Sequence, residues 1–358
     1  RRALPEPVFE AGEFRAPVTP VQQTVAAVFG EVLGLERVGL DDDFFALGGN
    51  SLSATQVVSR IGAALEMTVP VQWVFTDPTV ETMSRRVLTG AGVDHSFSPI
   101  LPLQDHGTET PIFFVHPIVG LAWCYSGLVR YLKDLGPVYG VQSCAIDDGE
   151  FLPETLDEIA SRYLEEIRKA VPSGPYRLAG WSLGGVIAHA MAVRLQAAGE
   201  KVELLCMMDS FTGTAAETSG SVEVSMKDLL AGFAPEDMEL GDGGGFDPDI
   251  FAAELADRVG MEPDRVAHVV DRLMKTAERN SRLMYEYEPG QYAGDLLYFT
   301  AAADDPAGGR GVAGWRHAVT GEIHEHAVPV THWQMTSQEA LAVIGPILRR
   351  ALEGSDEG

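Results

Sequence analysis

Apolar residues recur along this chain at two different periods, and the change of period divides it. From Thr19, the positions Val21, Val25, Val28, Phe29, Val32 and Leu33 keep to one face of a helix, with Thr19-Pro20 suited to an N-cap and a first-turn residue. A loop through Asp41-Asp42-Asp43-Phe44-Phe45 and Leu47-Gly48-Gly49-Asn50-Ser51 leads into a second amphipathic helix running from Leu52 towards Leu65. A third is predicted at about Val80 to Leu88, after Asp77-Pro78-Thr79. Residues 17–90 therefore read as a small helical bundle, and the proline-rich, aperiodic residues 1–16 as a connector.

Residues 91–108 carry Gly, Ser, Pro, Asp and His with little apolar regularity and read as a linker. Beyond them, short apolar runs alternate with helical stretches: Ile112 to Val115, Val138 to Val141, Tyr176 to Ala179, Val202 to Met208, Asp295 to Thr300 and about Glu322 to Val330. Such alternation predicts an α/β domain over 109–358, with a mostly parallel sheet covered by helices on both faces. About 210–288 breaks it with acidic, helical but glycine-interrupted sequence, including Gly241-Asp242-Gly243-Gly244-Gly245. A long excursion of that kind inside a compact fold reads as a helical lid over a site.

A chain of 358 residues with 46% hydrophobic residues is large enough for two cores. Its formal net charge of -26 excludes nucleic acid as a partner, because a phosphate backbone is repelled by it. No apolar stretch reaches the length of a membrane span. Cys124, Cys144 and Cys206 lie in or beside apolar runs without a C-x-x-C pair, so they read as buried thiols in a reducing compartment, and the expected location is the cytoplasm. No metal framework is visible.

The chemistry concentrates at Gly180-Trp181-Ser182-Leu183-Gly184, between the apolar run Tyr176-Arg177-Leu178-Ala179 and the helix-patterned Val186 to Val193. A lone G-x-S-x-G is weak evidence, but strand before and helix after make it a nucleophile elbow, in which glycines permit the strained turn that lifts the Ser182 hydroxyl clear. A serine hydroxyl needs an imidazole to take its proton, and a carboxylate to hold that imidazole in one tautomer. His332, in the loop Val330-Thr331-His332-Trp333 after the last predicted strand, is the preferred base among nine histidines. His324 and His326 read as alternating strand positions; His116 and His189 read as structural before catalytic. Asp209, at the end of Leu204-Leu205-Cys206-Met207-Met208, is the preferred acid, with Asp304 and Asp305 after the next strand as its rivals. The oxyanion is expected to take backbone N–H groups from Leu183 and from the loop His116-Pro117-Ile118-Val119-Gly120, where Ile118 is the chosen donor.

In the first domain, Ser51 stands where a helix begins. On those residues alone the simplest role is an N-cap, although free N–H groups there also suit a phosphate. Asp43-Phe44-Phe45-x-Leu47-Gly48-Gly49-Asn50-Ser51-Leu52 resembles the attachment motif of peptidyl carrier proteins, with Asn50 standing where that family usually has His or Asp. The second domain, with Gly180-Trp181-Ser182-Leu183-Gly184-Gly185, is similar to the terminal thioesterase of a non-ribosomal peptide synthetase, a type of α/β-hydrolase. Members commonly place the acid after the strand that follows the elbow helix, which supports Asp209. Arg1-Arg2-Ala3-Leu4-Pro5 resembles the peptide trailing an adenylation domain.

The resemblance implies a carrier–thioesterase pair. Ser51 would carry 4'-phosphopantetheine, added by a phosphopantetheinyl transferase. Upstream adenylation and condensation domains would supply a peptidyl thioester, and Ser182, His332 and Asp209 would release the peptide by hydrolysis or macrocyclisation. A polyketide or fatty-acid counterpart, a stand-alone esterase and a non-catalytic docking module are the alternatives. They are separated by the acyl group on the arm, by turnover of simple esters and by reaction with a fluorophosphonate.

Overall fold

Helix α1 (Pro20–Leu33) starts at a capping box: the Gln22 N–H donates to the Thr19 hydroxyl at 3.3 Å, and the Thr19 N–H donates to Gln22 Oε1 at 3.0 Å. It belongs to the first of two compact units, residues 1–92 and 93–358. The computed structural model describes residues 14–49, 51–65, 67, 69–89, 98–147, 151–211, 263–305 and 310–354. The sequence readings at 1–13, at Asn50 and at 212–262 therefore lie outside the described residues.

Among the described residues, the first unit also holds helices α2 (Ser51–Leu65), α3 (Gln72–Thr76) and α4 (Val80–Thr89). Helix α3 has five residues, too few to show a helical period in sequence, and was not expected. Val25 and Phe29 on α1, Val57 and Ile61 on α2, and Val80 and Met83 on α4 are fully withdrawn from solvent, each worth roughly 1.5–3 kcal/mol where the side chain is large. Phe44 joins them from the loop, edge-on to Phe29 with ring centroids 5.1 Å apart. A Cβ on Gly49 would lie 2.3 Å from the Phe44 ring, so glycine alone lets the chain wrap that ring just before α2 opens at Ser51.

The second unit is built on a seven-stranded sheet: β1 (Ile100–Gln104), β2 (Ile112–Val115), β3 (Val138–Val141), β4 (Tyr176–Trp181), β5 (Val202–Met208), β6 (Leu296–Ala301) and β7 (Ile323–Val328). The spatial order is β1-β3-β2-β4-β5-β6-β7, and every pair is parallel except β1 with β3. Strand β1 falls inside the stretch read as a linker. Its five residues contain Pro102, and among the described residues it lies at the edge of the sheet with β3 as its one neighbour, the setting in which a strand tolerates proline.

Helices α5 (Val129–Leu132), α6 (Cys144–Asp147), α7 (Leu156–Ala170), α8 (Leu183–Ala197), α9 (Pro263–Glu286), α10 (Arg310–Trp315) and α11 (Gln338–Gly354) surround the sheet. Helix α7 buries Leu156, Ile159, Ala160, Tyr163, Leu164 and Ile167 along one stripe. Helix α8 is apolar on nearly all sides because it is enclosed between β4, β5 and α7. From the stretch read as a lid, residues 263–286 form α9, a helix of 24 residues. It is tied to the body where Arg272, Arg279 and Asn280 donate to the carbonyls of Ile146, Pro153 and Ile118, at 2.7, 3.1 and 2.8 Å.

Candidate active site

Ser182 occupies the turn between β4 and α8 at φ 57° and ψ -125°, a left-handed conformation that non-glycine residues adopt at a cost of about 1–3 kcal/mol. The packing that enforces it is backbone against backbone. A Cβ on Gly180 would lie 2.2 Å from the Gly184 carbonyl carbon, and one on Gly184 would lie 2.2 Å from the Val115 carbonyl oxygen. One on Gly185 would meet Ser210 Oγ at 2.0 Å. The three glycines thus let α8 start directly against β2 and β5. The buried Tyr125 phenol adds a tie, donating to the Val115 carbonyl at 2.7 Å and accepting from the Trp181 N–H at 2.8 Å.

Asp209 follows β5 and is also left-handed, at φ 45°. Its backbone is pinned from both sides: its own N–H donates to the Phe299 carbonyl at 2.7 Å, and the next carbonyl, of Ser210, accepts from the Tyr298 hydroxyl at 2.7 Å and Trp315 Nε1 at 2.8 Å. One carboxylate oxygen accepts from the Ala301 N–H at 2.9 Å, and the other lies 2.7 Å from His332 Nδ1. His332 Nε2 in turn lies 3.1 Å from Ser182 Oγ. Because the carboxylate can only accept, Nδ1 carries the proton and Nε2 faces Ser182 as an acceptor. A continuous hydrogen-bonded chain runs from Asp209 through His332 to Ser182.

The His332 ring is flanked by Trp181, Trp333 and Phe211, at centroid distances of 5.5, 5.1 and 5.8 Å. Its side chain keeps 17% of its surface exposed while that of Asp209 keeps 3%, so the carboxylate is buried and the imidazole reaches the open side.

Asp304, one of the two rival acids, turns towards the same residue at a different point. Its Oδ2 accepts from the backbone N–H of His332 at 2.5 Å and so steadies the turn that carries the imidazole. Asp305 caps the end of β6 with its N–H on the Ala301 carbonyl. His324 and His326 lie on β7, as their alternation predicts. His189 is buried on α8 beside Trp315, and burial pulls it down to about 4. His116 is wholly buried behind β2 and is also pulled down to about 4 by burial. Leu183 is the first residue of α8, and among the described residues neither its N–H nor that of Ile118 meets a protein acceptor. The Asn280 amide on the Ile118 carbonyl and the Tyr125 tie escaped the sequence reading; Asn280 falls in the stretch read as a lid, and nothing local marks Tyr125.

In the first unit, Ser51 opens the 15-residue helix α2, and helix starts in general favour phosphate. Gly48, three residues before that helix, stands at φ 104° with nothing within 4 Å of an added Cβ. These residues fit a phosphate-linked arm. Among the described residues no cluster of His, Cys, Asp and Glu is arranged to hold a metal, and no helix is long and apolar enough to cross a membrane.

Residues 110–350 match the thioesterase domain model. The chain belongs to that family. Residues 23–87 match the phosphopantetheine attachment site, so the thioesterase follows a domain that carries covalent phosphopantetheine. A probable non-canonical nonribosomal peptide synthetase of Salinispora arenicola is 35% identical over 98% of the chain, and a dimodular nonribosomal peptide synthase of Bacillus subtilis is 36% identical over 99%. The chain spans 5% and 15% of the lengths of those two relatives. Among solved structures, the NocB thioesterase domain from the nocardicin cluster is 28% identical, with a TM-score of 0.52 over 69% of this chain and 96% of that one. A four-domain nonribosomal peptide synthetase bound to AMP and glycine shares the fold, at 24% identity and a TM-score of 0.60 over 97% of this chain and 27% of that one.

Proposed function

We propose that this thioesterase acts through Ser182 as nucleophile, His332 as general base and acid, and Asp209 as the carboxylate that orients and stabilises the imidazole. It would release a peptide from the terminal module of a non-ribosomal peptide synthetase. The observation that carries the reading is the unbroken hydrogen-bonded chain Asp209–His332–Ser182. Ser182 Oγ attacks the thioester carbonyl, and His332 Nε2 takes the hydroxyl proton and then gives it to the departing thiol. Asp209 stabilises the imidazolium formed between those transfers. The N–H groups of Leu183 and Ile118 receive the oxyanion, each donor worth about 10² to 10³ in rate. In the second half, His332 activates water or a nucleophile within the peptide, which gives a free acid or a ring.

Ser51 is the proposed attachment point of phosphopantetheine, which supplies a thiol that carries the acyl group as a thioester. A phosphopantetheinyl transferase would load it, upstream adenylation and condensation domains would furnish the peptide, and the assembly would work in the cytoplasm. The relatives, both nonribosomal peptide synthetases, favour this over a polyketide or stand-alone esterase reading. Intact-mass measurement tests both halves. Ser51→Ala is expected to abolish the mass gain on treatment with a phosphopantetheinyl transferase and coenzyme A. Ser182→Ala is expected to abolish the adduct with a fluorophosphonate or a peptidyl thioester. Persistence of either adduct in its variant refutes that assignment.

A further inference from the structure

The loop that offers the Ile118 N–H has its peptide planes held by two side chains, its own His116 and Asn280 of α9. The carbonyl of Pro117 belongs to the same peptide unit as the Ile118 N–H, and in a trans peptide the two point in opposite directions. That carbonyl accepts twice, from His116 Nδ1 at 2.6 Å and from the Gly120 N–H at 3.0 Å. Gly120 closes the turn at φ 89°, where a Cβ would lie 2.9 Å from Ser143 Cβ. The following carbonyl, of Ile118, accepts from Asn280.

A carbonyl has no proton to give, so His116 must carry its proton on Nδ1, and its Nε2 is left as an acceptor. Nε2 lies 2.5 Å from the hydroxyl of Tyr163, so the phenol is the donor there. Tyr163, on α7, is itself fully enclosed. The relay Tyr163–His116–Pro117 therefore selects one tautomer of a buried imidazole. It fixes the rotation of a single peptide unit, whose other end faces away from the relay. Burial also keeps His116 neutral well below physiological pH, so that tautomer persists over the working range.

We propose that His116 and Tyr163 are positioning residues for the oxyanion, acting through the peptide unit that presents the Ile118 N–H. The proposal rests on Ser182 as the nucleophile and Ile118 as a donor, and it adds a role for two side chains that touch no reacting atom.

The test uses the full chain with His116→Leu, His116→Asn and Tyr163→Phe, each first checked for native thermal unfolding. Kinetics with a peptidyl thioester are measured beside inhibition by a peptidyl trifluoromethyl ketone, to which a serine adds to form a tetrahedral oxyanion. A mis-aimed donor costs less than the 10² to 10³ of a missing one, so His116→Leu is expected to lower kcat by about 10- to 100-fold with KM within about twofold. Ketone affinity should fall by a similar factor. His116→Asn places an amide N–H where Nδ1 stood, and is expected to recover most of both losses. Tyr163→Phe keeps the packing and is expected to fall between the two.

Folded His116→Leu or Tyr163→Phe with unchanged kcat and ketone affinity overturns the proposal, as does a kcat loss that His116→Asn does not relieve. If His116→Leu fails to fold, Tyr163→Phe and His116→Asn decide by the same two readouts. Failure of the underlying reading looks different: wild type itself would then form no ketone adduct at Ser182.

Discussion

Exchanging the Asp209 carboxylate for an amide tests the polarity of the whole hydrogen-bonded chain. In Asp209→Asn the side-chain oxygen keeps the Ala301 N–H, which leaves the amide nitrogen facing His332 Nδ1. That nitrogen donates, so Nδ1 must become the acceptor, and the proton moves to Nε2, where it meets Ser182 Oγ and blocks deprotonation. The imidazolium also loses a partner charge about 4 Å away, worth about 4 kcal/mol at an effective dielectric of 20, or about 10³ in rate. With the tautomer penalty the expected fall in kcat is about 10³ to 10⁴. Asp304→Asn is the matched control. Its oxygen still accepts from the His332 backbone N–H, so a loss under about tenfold is expected. Both variants are assayed by single-turnover acylation with a peptidyl thioester, followed by mass. Equal losses, or a larger loss in Asp304→Asn, refute the assignment of the acid and the tautomer argument with it.

Two further expectations concern stability. Gly184→Ala places a Cβ 2.2 Å from the Val115 carbonyl oxygen, with backbone on both sides, and is expected to cost about 3 kcal/mol or more. Gly199→Ala, at φ 77° with open space around it, should cost about 1–2 kcal/mol; thermal unfolding that ranks the two the other way contradicts the packing account. Burial holds His116 and His189 at about 4 against an ordinary 6.5, so the unfolded chain takes up protons that the native state refuses. Their contribution is complete above about pH 6.5 and is lost as pH falls towards 4, about 3 kcal/mol for each. Denaturant midpoints between pH 7 and 4.5 should fall accordingly. His189→Gln removes one of the two protons and should flatten the curve, and an unchanged slope in that variant contradicts the assignment.

Local spacing was sufficient for Thr19 as a cap, for the stripe of α1, and for the strand, turn and helix around Ser182, because caps, periods and glycine turns are local properties. It also placed His332 and Asp209 at strand ends, where parallel sheets expose their loops. Strand β1 was hidden by Pro102, since only its position at the edge of the sheet makes that residue acceptable. Helix α3 was too short to have a period.

The amino-acid sequence by itself determined which residue types and turns were on offer: an elbow serine, a histidine after the last strand, acids after the two preceding strands and a serine at a helix start. Only the tertiary structure put Asp209 against the His332 ring and Asp304 against its backbone N–H. Both follow neighbouring strands and both bond to His332, one through the ring and one through the backbone. It alone brought Tyr163 and Asn280 to the loop carrying Ile118, from helices 45 and 162 positions further along the chain. Hydrogen bonds act over about 3 Å, and which groups come that close is set by how the sheet orders its strands and how the helices pack on it.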